Sequence, residues 1–264
     1  MNRLRLVICV FSAVLSTVLT GCLAGAPKTQ RVVLSYPYGE EEALRFDGYR
    51  ELAERLSPSY VRVLILDQAA RTSGGRTQGG RPIINGASGF IVDPRGYVIT
   101  VAHIALDTRF TAEVTTVDGG VHEAVIIHVD PARELAVLKI RPFAGMQVAK
   151  LADSRQVQKG QHVLAIGTPD NRKGVVALGT VVDPKWPQRL EYIGYGYDDA
   201  IKMHIDVQPG HSGGPVFNRE GETIGIVASF ALGDLSKTPY VSPKLAYAIP
   251  SNAIRAYLEQ VIGG

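Results

Sequence analysis

The chain has 264 residues, with 28 Lys and Arg against 25 Asp and Glu and a formal net charge of +3. That length holds one or two compact units. The charge excess is too small to argue for a nucleic-acid partner, and no basic run is longer than two residues. The two cysteines, Cys9 and Cys22, both lie near the N-terminus. The body of the chain therefore has no internal disulfide, no cysteine-ligated zinc and no thiol nucleophile.

Arg3 and Arg5 give a basic start, and residues 6–19 are an apolar run. The run is short for a membrane span and suits the core of an export signal. Leu19-Thr20-Gly21-Cys22 then resembles a bacterial lipobox. In that reading residues 1–21 are a leader removed by cleavage, and Cys22 carries a lipid that tethers the protein to a membrane. Leu23, where aspartate would retain a lipoprotein at the inner membrane, favours the outer membrane, facing the periplasm. The alternative is an ordinary signal peptide with a chance cysteine.

Residues 22–57 read as a tether followed by a helix. The stretch 23–39 is short on charge and contains Pro27 and Pro37. Over 40–56, Tyr49, Leu52, Ala53 and Leu56 recur at the i, i+3, i+4, i+7 spacing of one helix face. Packing of that face on the chain's own core is favoured over a contact with a partner. Ser57-Pro58 ends the helix.

From there the pattern is β. Tyr60–Leu66 is a strand, 70–80 a loop rich in Gly, Thr, Arg and Ser, and 86–92 a second strand entered through small residues. Asp93-Pro94-Arg95-Gly96 has turn chemistry, and 97–100 is a third strand with His103 just beyond it. Residues 111–117 and 124–129 alternate around Asp118-Gly119-Gly120, and 136–140 is a strand with Glu134 just before it. Strands at 162–167, 175–182, 203–207 and 222–230 follow, and 252–261 is a closing helix. Residues 183–199 read as a loop holding Trp186, Tyr192, Tyr195 and Tyr197, whose aromatics either line a groove or cover a core edge.

The stretch that organises the whole is Gly210-His211-Ser212-Gly213-Gly214-Pro215. Glycines permit backbone conformations closed to other residues. The N–H groups of such a turn can converge on a developing oxyanion. A serine needs a neighbouring base to act as a nucleophile, and the chain order is His103, Glu134, Ser212.

The sequence resembles the protease domain of the HtrA/Deg family, within the chymotrypsin-like serine proteases. Gly89-Phe90-Ile91-Val92, Ile99-Thr100-Val101-Ala102-His103, Glu134-Leu135-Ala136-Val137-Leu138, Gly210-His211-Ser212-Gly213-Gly214-Pro215 and Tyr247-Ala248-Ile249-Pro250-Ser251 follow the family's motifs in order, from about Pro58 to about Gln260. The resemblance implies an all-β fold of two six-stranded antiparallel barrels, with a short N-terminal helix and a C-terminal helix. The protease domain would cover 58–264, with barrels at about 58–150 and 158–251. The PDZ domains of many family members do not follow the closing helix. By resemblance Ser212 is the nucleophile, His103 the base and Glu134 the acid, with the N–H groups of Gly210 and Ser212 as the oxyanion hole. The substrate would be polypeptide, with no cofactor and no metal; assembly into a homo-oligomer is left open.

Three positions depart from the pattern or leave it ambiguous. Glu134 stands where aspartate is the rule, so a peptide-binding or scaffold homologue with little activity remains an alternative. Asp130, before Pro131, is a candidate substitute that reads more simply as a turn residue. His211 replaces asparagine or aspartate and is read as an exposed residue whose backbone alone matters. For the P1 side chain, the expected wall is Ile226 to Phe230, with Ile226, Val227 and Ala228 foremost, and the residues just before Gly210. Asp206, six residues before Ser212, would select basic residues if it points into the pocket and would mean nothing for specificity if it points out; the family prefers small aliphatic ones. His122, His128, His162 and His204 lack metal-ligand spacing and are read as strand or surface residues.

Overall fold

The structure is a computed structural model that describes residues 33–35, 48–67, 76–192, 194–230 and 244–263. The leader, Cys22, most of the tether and the first half of the helix expected over 40–56 lie outside the described residues. Among the described residues no helix is long and apolar enough to cross a membrane.

In chain order, β1 (Val33–Ser35) precedes α1 (Tyr49–Leu56). The first barrel follows as β2 (Tyr60–Leu66), β3 (Thr77–Gln78), β4 (Arg81–Asp93), β5 (Tyr97–Thr100), the one-turn helix α2 (Ala102–Ala105), β6 (Thr111–Thr116), β7 (Val121–Asp130) and β8 (Leu135–Ile140). The second comprises β9 (His162–Gly167), β10 (Val175–Asp183), a small hairpin of β11 (Leu190–Tyr192) and β12 (Tyr195–Tyr197), then β13 (Ile201–Ile205), β14 (Pro215–Phe217), β15 (Thr223–Phe230) and β16 (Leu245–Pro250). α3 (Ser251–Ile262) closes the chain.

Two cycles of six strands close on themselves. The first runs β2-β6-β7-β8-β5-β4 and returns to β2, with β3 outside it on β4. The second runs β10-β13-β16-β15-β14-β9 and returns to β10. All pairings within the two cycles are antiparallel. Closure leaves neither barrel with a full-length open edge. This is the expected two-barrel architecture.

The apolar runs of the second barrel are continuous because some strands are buried on both faces. In β9, Val163 and Ala165 point into the second barrel's own core, while Leu164 and Ile166 join the cluster shared with the first barrel. Val216 and Phe217 divide in the same way, as do Val227 and its neighbours Ile226 and Ala228. One apolar layer thus fills the first barrel and continues across the junction. α1 buries Tyr49, Leu52 and Ala53 in that layer, which is the favoured packing. Ile254, Tyr257 and Leu258 of α3 do likewise. The Tyr257 hydroxyl also reaches His128 Nδ1 at 2.8 Å.

Several elements differ from the sequence reading, among them β3 (Thr77–Gln78), which lies in the stretch read as a loop. Val33–Ser35, read as tether, adds parallel to Val175, Val176 and Ala177 of β10, where β13 has peeled away. The aromatic stretch read as a loop contains the β11–β12 hairpin.

Candidate active site

His103 sits in the single turn of α2, directly after β5. Its carbonyl accepts a bond from the Asn85 amide at 2.9 Å. Its ring Nδ1 lies in a short contact with Glu134 Oε1, and its backbone N–H donates to Glu134 Oε2 at 3.2 Å. Glu134 is 3 % exposed. Its backbone is left-handed, with φ of +55°, a conformation that costs a non-glycine residue about 1–3 kcal/mol. That twist and the second bond to the main chain are how the longer side chain is accommodated. One carboxylate oxygen holds the ring, and the other is satisfied by the backbone.

Asp130 does not take the acid's place. Its carboxylate caps the N–H groups of Ala132 at 3.0 Å and Arg133 at 3.2 Å, which makes the turn leading into Glu134.

The serine turn is fastened from several sides. Gln208-Pro209-Gly210-His211 is a turn closed by the His211 N–H to the Gln208 carbonyl at 3.0 Å, with Gly210 at φ +106°. Proline followed by a residue of positive φ is the chemistry of a type II turn. The Gly210 carbonyl accepts from the Ser88 hydroxyl at 2.7 Å and the Thr168 N–H at 3.2 Å. The His211 carbonyl accepts from the Gly214 N–H at 2.8 Å. Fixing that carbonyl aims the N–H of the same peptide plane, which belongs to Ser212, the opposite way. Among the described residues the N–H groups of Gly210 and Ser212 have no protein acceptor.

The turn also meets the strands that carry His103. Ser88 donates its N–H to the Ser212 carbonyl at 3.0 Å, and Thr100, three residues before His103, donates its hydroxyl to the Ser88 carbonyl at 2.7 Å. Gly213 has φ of +81°, and a Cβ there would overlap the Ser88 carbonyl oxygen and the Thr100 hydroxyl. The serine turn, Ser88 of β4 and Thr100 of β5 are therefore in direct apposition.

His211 is not exposed; it is 1 % exposed. It packs so closely on Gly167 that a Cβ there would overlap the ring. Its Nδ1 lies 3.2 Å from both the N–H and the carbonyl of Gln208, accepting from the N–H when it carries no proton, and burial pushes its pKa down to about 4. A neutral ring is the form that can accept that bond. Its Nε2 is buried without a protein partner among the described residues.

A model of the trypsin-like peptidase domain matches residues 87–226, which span the histidine, the acid and the serine turn. The chain belongs to the trypsin-like peptidase family. It is 28% identical over 236 residues to the mitochondrial serine protease HTRA2 of Bos taurus, covering 89% of this chain and 48% of that protein. It is 35% identical over 189 residues to a probable periplasmic serine endoprotease, DegP-like, of Brucella suis biovar 1, covering 69% of this chain and 34% of that protein. A protein of the same description from Chlamydia pneumoniae is 31% identical over 175 residues, covering 66% of this chain and 34% of the relative. The chain thus spans between a third and a half of the length of these relatives.

In this trypsin-like domain the expected P1 wall needs correction. Ile226 and Val227 are 0 % and 1 % exposed, with side chains committed to the two cores. Val227 contributes through its backbone, donating to the Gly214 carbonyl at 2.9 Å and accepting from the Gly213 N–H at 2.8 Å. Ala228, 4 % exposed, stands at a bulge in the β15–β16 pairing. β14 pairs with β15 only as far as Ile226, so among the described residues the edge of the strand beyond Val227 has no partner on the side of the serine turn. Asp206 lies just past β13 and is half-buried, like Lys202 and His204 within the strand, while Ile205 and Val207 on either side of it are buried. The other four histidines are all strand residues, and among the described residues no cluster could hold a metal.

The aromatic stretch mainly covers a core edge, one of the two roles expected of it. Trp186 packs on the core with Lys202 Nζ 3.9 Å above its ring, and Tyr197 is buried with its hydroxyl on Ser229. Tyr195 instead meets His103 edge to face, with ring centroids 6.2 Å apart. The motifs did not single out Asn85, Thr168 or Tyr195. The paired aromatics around Ile193-Gly194 were the available signal for a hairpin.

Proposed function

We propose that the chain is a serine endopeptidase of the bacterial cell envelope that cleaves unfolded or exported polypeptides. The observation that carries the reading is the double engagement of His103 by the buried Glu134, together with a Ser212 turn in which two N–H groups have no acceptor among the described residues.

The chemistry follows from the roles of the groups. An extended peptide would add to the edge of β15 beyond Val227, main chain to main chain. His103 takes the proton of the Ser212 hydroxyl as the oxygen attacks the scissile carbonyl. The ring then carries a positive charge, which the Glu134 carboxylate stabilises. The carbonyl oxygen becomes an oxyanion bound by the N–H groups of Gly210 and Ser212; one such donor is worth about 100- to 1000-fold in rate. The C–N bond breaks as His103 returns the proton to the leaving amine, leaving an acyl-enzyme on Ser212. Water, deprotonated by His103, attacks the ester, and Ser212 leaves with the proton.

The envelope assignment rests on the leader, the lipobox and the periplasmic description carried by the DegP-like relatives. Lipid attachment at Cys22, facing the periplasm from the outer membrane, is part of the proposal.

A fluorophosphonate probe on the full chain tests the reading. Labelling that disappears in Ser212→Ala establishes an activated serine. Absence of labelling in the wild type, with labelling gained in Glu134→Asp, would sink it and leave a peptide-binding homologue.

A further inference from the structure

The β11–β12 hairpin belongs to neither barrel cycle, yet it is tied to both. The Gly196 N–H donates to the Pro131 carbonyl of the first barrel at 2.9 Å. Arg189 Nη2 donates to the Ala132 carbonyl at 2.9 Å, two residues before Glu134. Arg189 is itself held by Asp198 at 2.7 Å and Glu191 at 3.2 Å. On the other side the Tyr197 hydroxyl bonds to the Ser229 hydroxyl at 2.5 Å. Ser229 lies on β15 beyond the residues that pair with β14. The hairpin therefore spans from the strand beside Ser212 to the turn that delivers the acid.

Tyr195 is the residue this strut turns towards the reacting groups. Its ring stands edge to face against His103 at an interplanar angle of 68°. Its hydroxyl is raised above the ordinary tyrosine range by burial and by the Glu134 charge. Unlike Tyr197, it is only half-buried among the described residues, so part of the side chain is open to contact.

A peptide lying along residues 228–230, with its scissile carbonyl at Ser212, has side chains that alternate in direction. With P1 on the side of the second barrel, the residue before it, P2, would turn the other way, towards His103 and the Tyr195 ring that contacts it. We infer that Tyr195 is a specificity-determining residue, closing the subsite between His103 and Ser229 so that P2 is glycine or alanine and larger side chains are rejected.

This inference rests on the peptidase reading above, and the experiment separates the two. Peptides identical except for Gly, Ala, Leu or Phe at P2 are assayed with wild type, Tyr195→Phe and Tyr195→Ala, each also labelled with the phosphonate probe. The expected wild-type preference for Ala over Leu in kcat/KM is about 10-fold or more, the scale on which a pocket discriminates a few methylenes. Tyr195→Phe keeps that ratio. Tyr195→Ala reduces it to about threefold or less, mainly through a lower KM for the Leu peptide. An unchanged ratio in a labelled, active Tyr195→Ala overturns the inference and leaves the peptidase reading standing. Loss of labelling in Tyr195→Ala alone also overturns it, because the ring would then act on His103 rather than on substrate. No labelling and no turnover in any of the three proteins overturns the peptidase reading and this inference with it.

Discussion

Glu134 grips His103 at two points, the ring through one carboxylate oxygen and the backbone N–H through the other. The extra methylene relative to aspartate is absorbed by the left-handed backbone at Glu134. On the same backbone a carboxylate one methylene shorter would reach less far towards His103 and weaken this double contact.

Glu134→Asp is therefore expected to lower kcat/KM by about 10-fold, the scale of one lost charge-assisted hydrogen bond, and not to raise it. Glu134→Gln keeps the length but removes the charge and offers the wrong partner to the imidazole. A fall in kcat of about 10⁴-fold is expected. Steady-state kinetics beside thermal melts distinguish both from a folding defect; a gain of activity in Glu134→Asp would contradict this account of the acid.

His211 links stability to pH. Its folded pKa, about 4, lies below the ordinary histidine value. Between roughly pH 6.5 and 4 the unfolded chain binds the proton more readily than the folded one. The contribution is complete above pH 6.5 and is lost as pH falls towards 4, amounting to about 3 kcal/mol at most. Protonation also removes the acceptor for the Gln208 N–H. In His211→Asn the amide oxygen can accept that bond without titrating, so denaturant midpoints should show a flatter slope between pH 4 and 6.5. An identical slope in the two proteins would show that His211 is not the titrating group.

Gly213→Ala places a methyl group against the Ser88 carbonyl and the Thr100 hydroxyl, in a backbone with φ of +81°. The left-handed conformation alone costs an alanine about 1–2 kcal/mol, and the overlap adds to it. Activity should fall by more than 100-fold with a lower Tm. Gly145→Ala, also at positive φ but with nothing within 4 Å of the new Cβ, isolates the backbone cost and should leave turnover intact.

The closing helix is held by apolar packing and by polar anchors that include the hydroxyls of Ser251 and Tyr257. Ile254→Ala, at a site with 0 % exposure, should cost about 2–5 kcal/mol. Tyr257→Phe loses bonds to His128 Nδ1 at 2.8 Å and the Leu135 carbonyl at 3.3 Å and should cost about 1 kcal/mol. Urea midpoints at constant m-value measure both.

Much of the architecture was legible because it is written locally. The strand at Tyr60–Leu66 and the closing helix are set by apolar period and by punctuation from Pro and Gly, within a residue or so of their observed limits. The serine turn was legible for a related reason. Its glycines occupy backbone conformations that other residues rarely adopt, so the requirement shows in the residue types themselves. The double use of β9 was not legible, since an apolar run looks the same whether its second face meets solvent-free barrel interior or another barrel.

By itself the sequence determined the chain order of His103, Glu134 and Ser212, the β-rich pattern and the glycines that the serine turn requires. Only the tertiary structure decided what surrounds them. The burial of His211 depends on Gly167 lying beneath its ring. The fit of Glu134 depends on the path of its backbone into the histidine turn. The place of Tyr195 depends on a hairpin whose anchors are Pro131, Ala132 and Ser229. Each of these is a contact between segments far apart in the chain. Their partners are chosen by how two closed barrels pack, and no local pattern of residues encodes that choice.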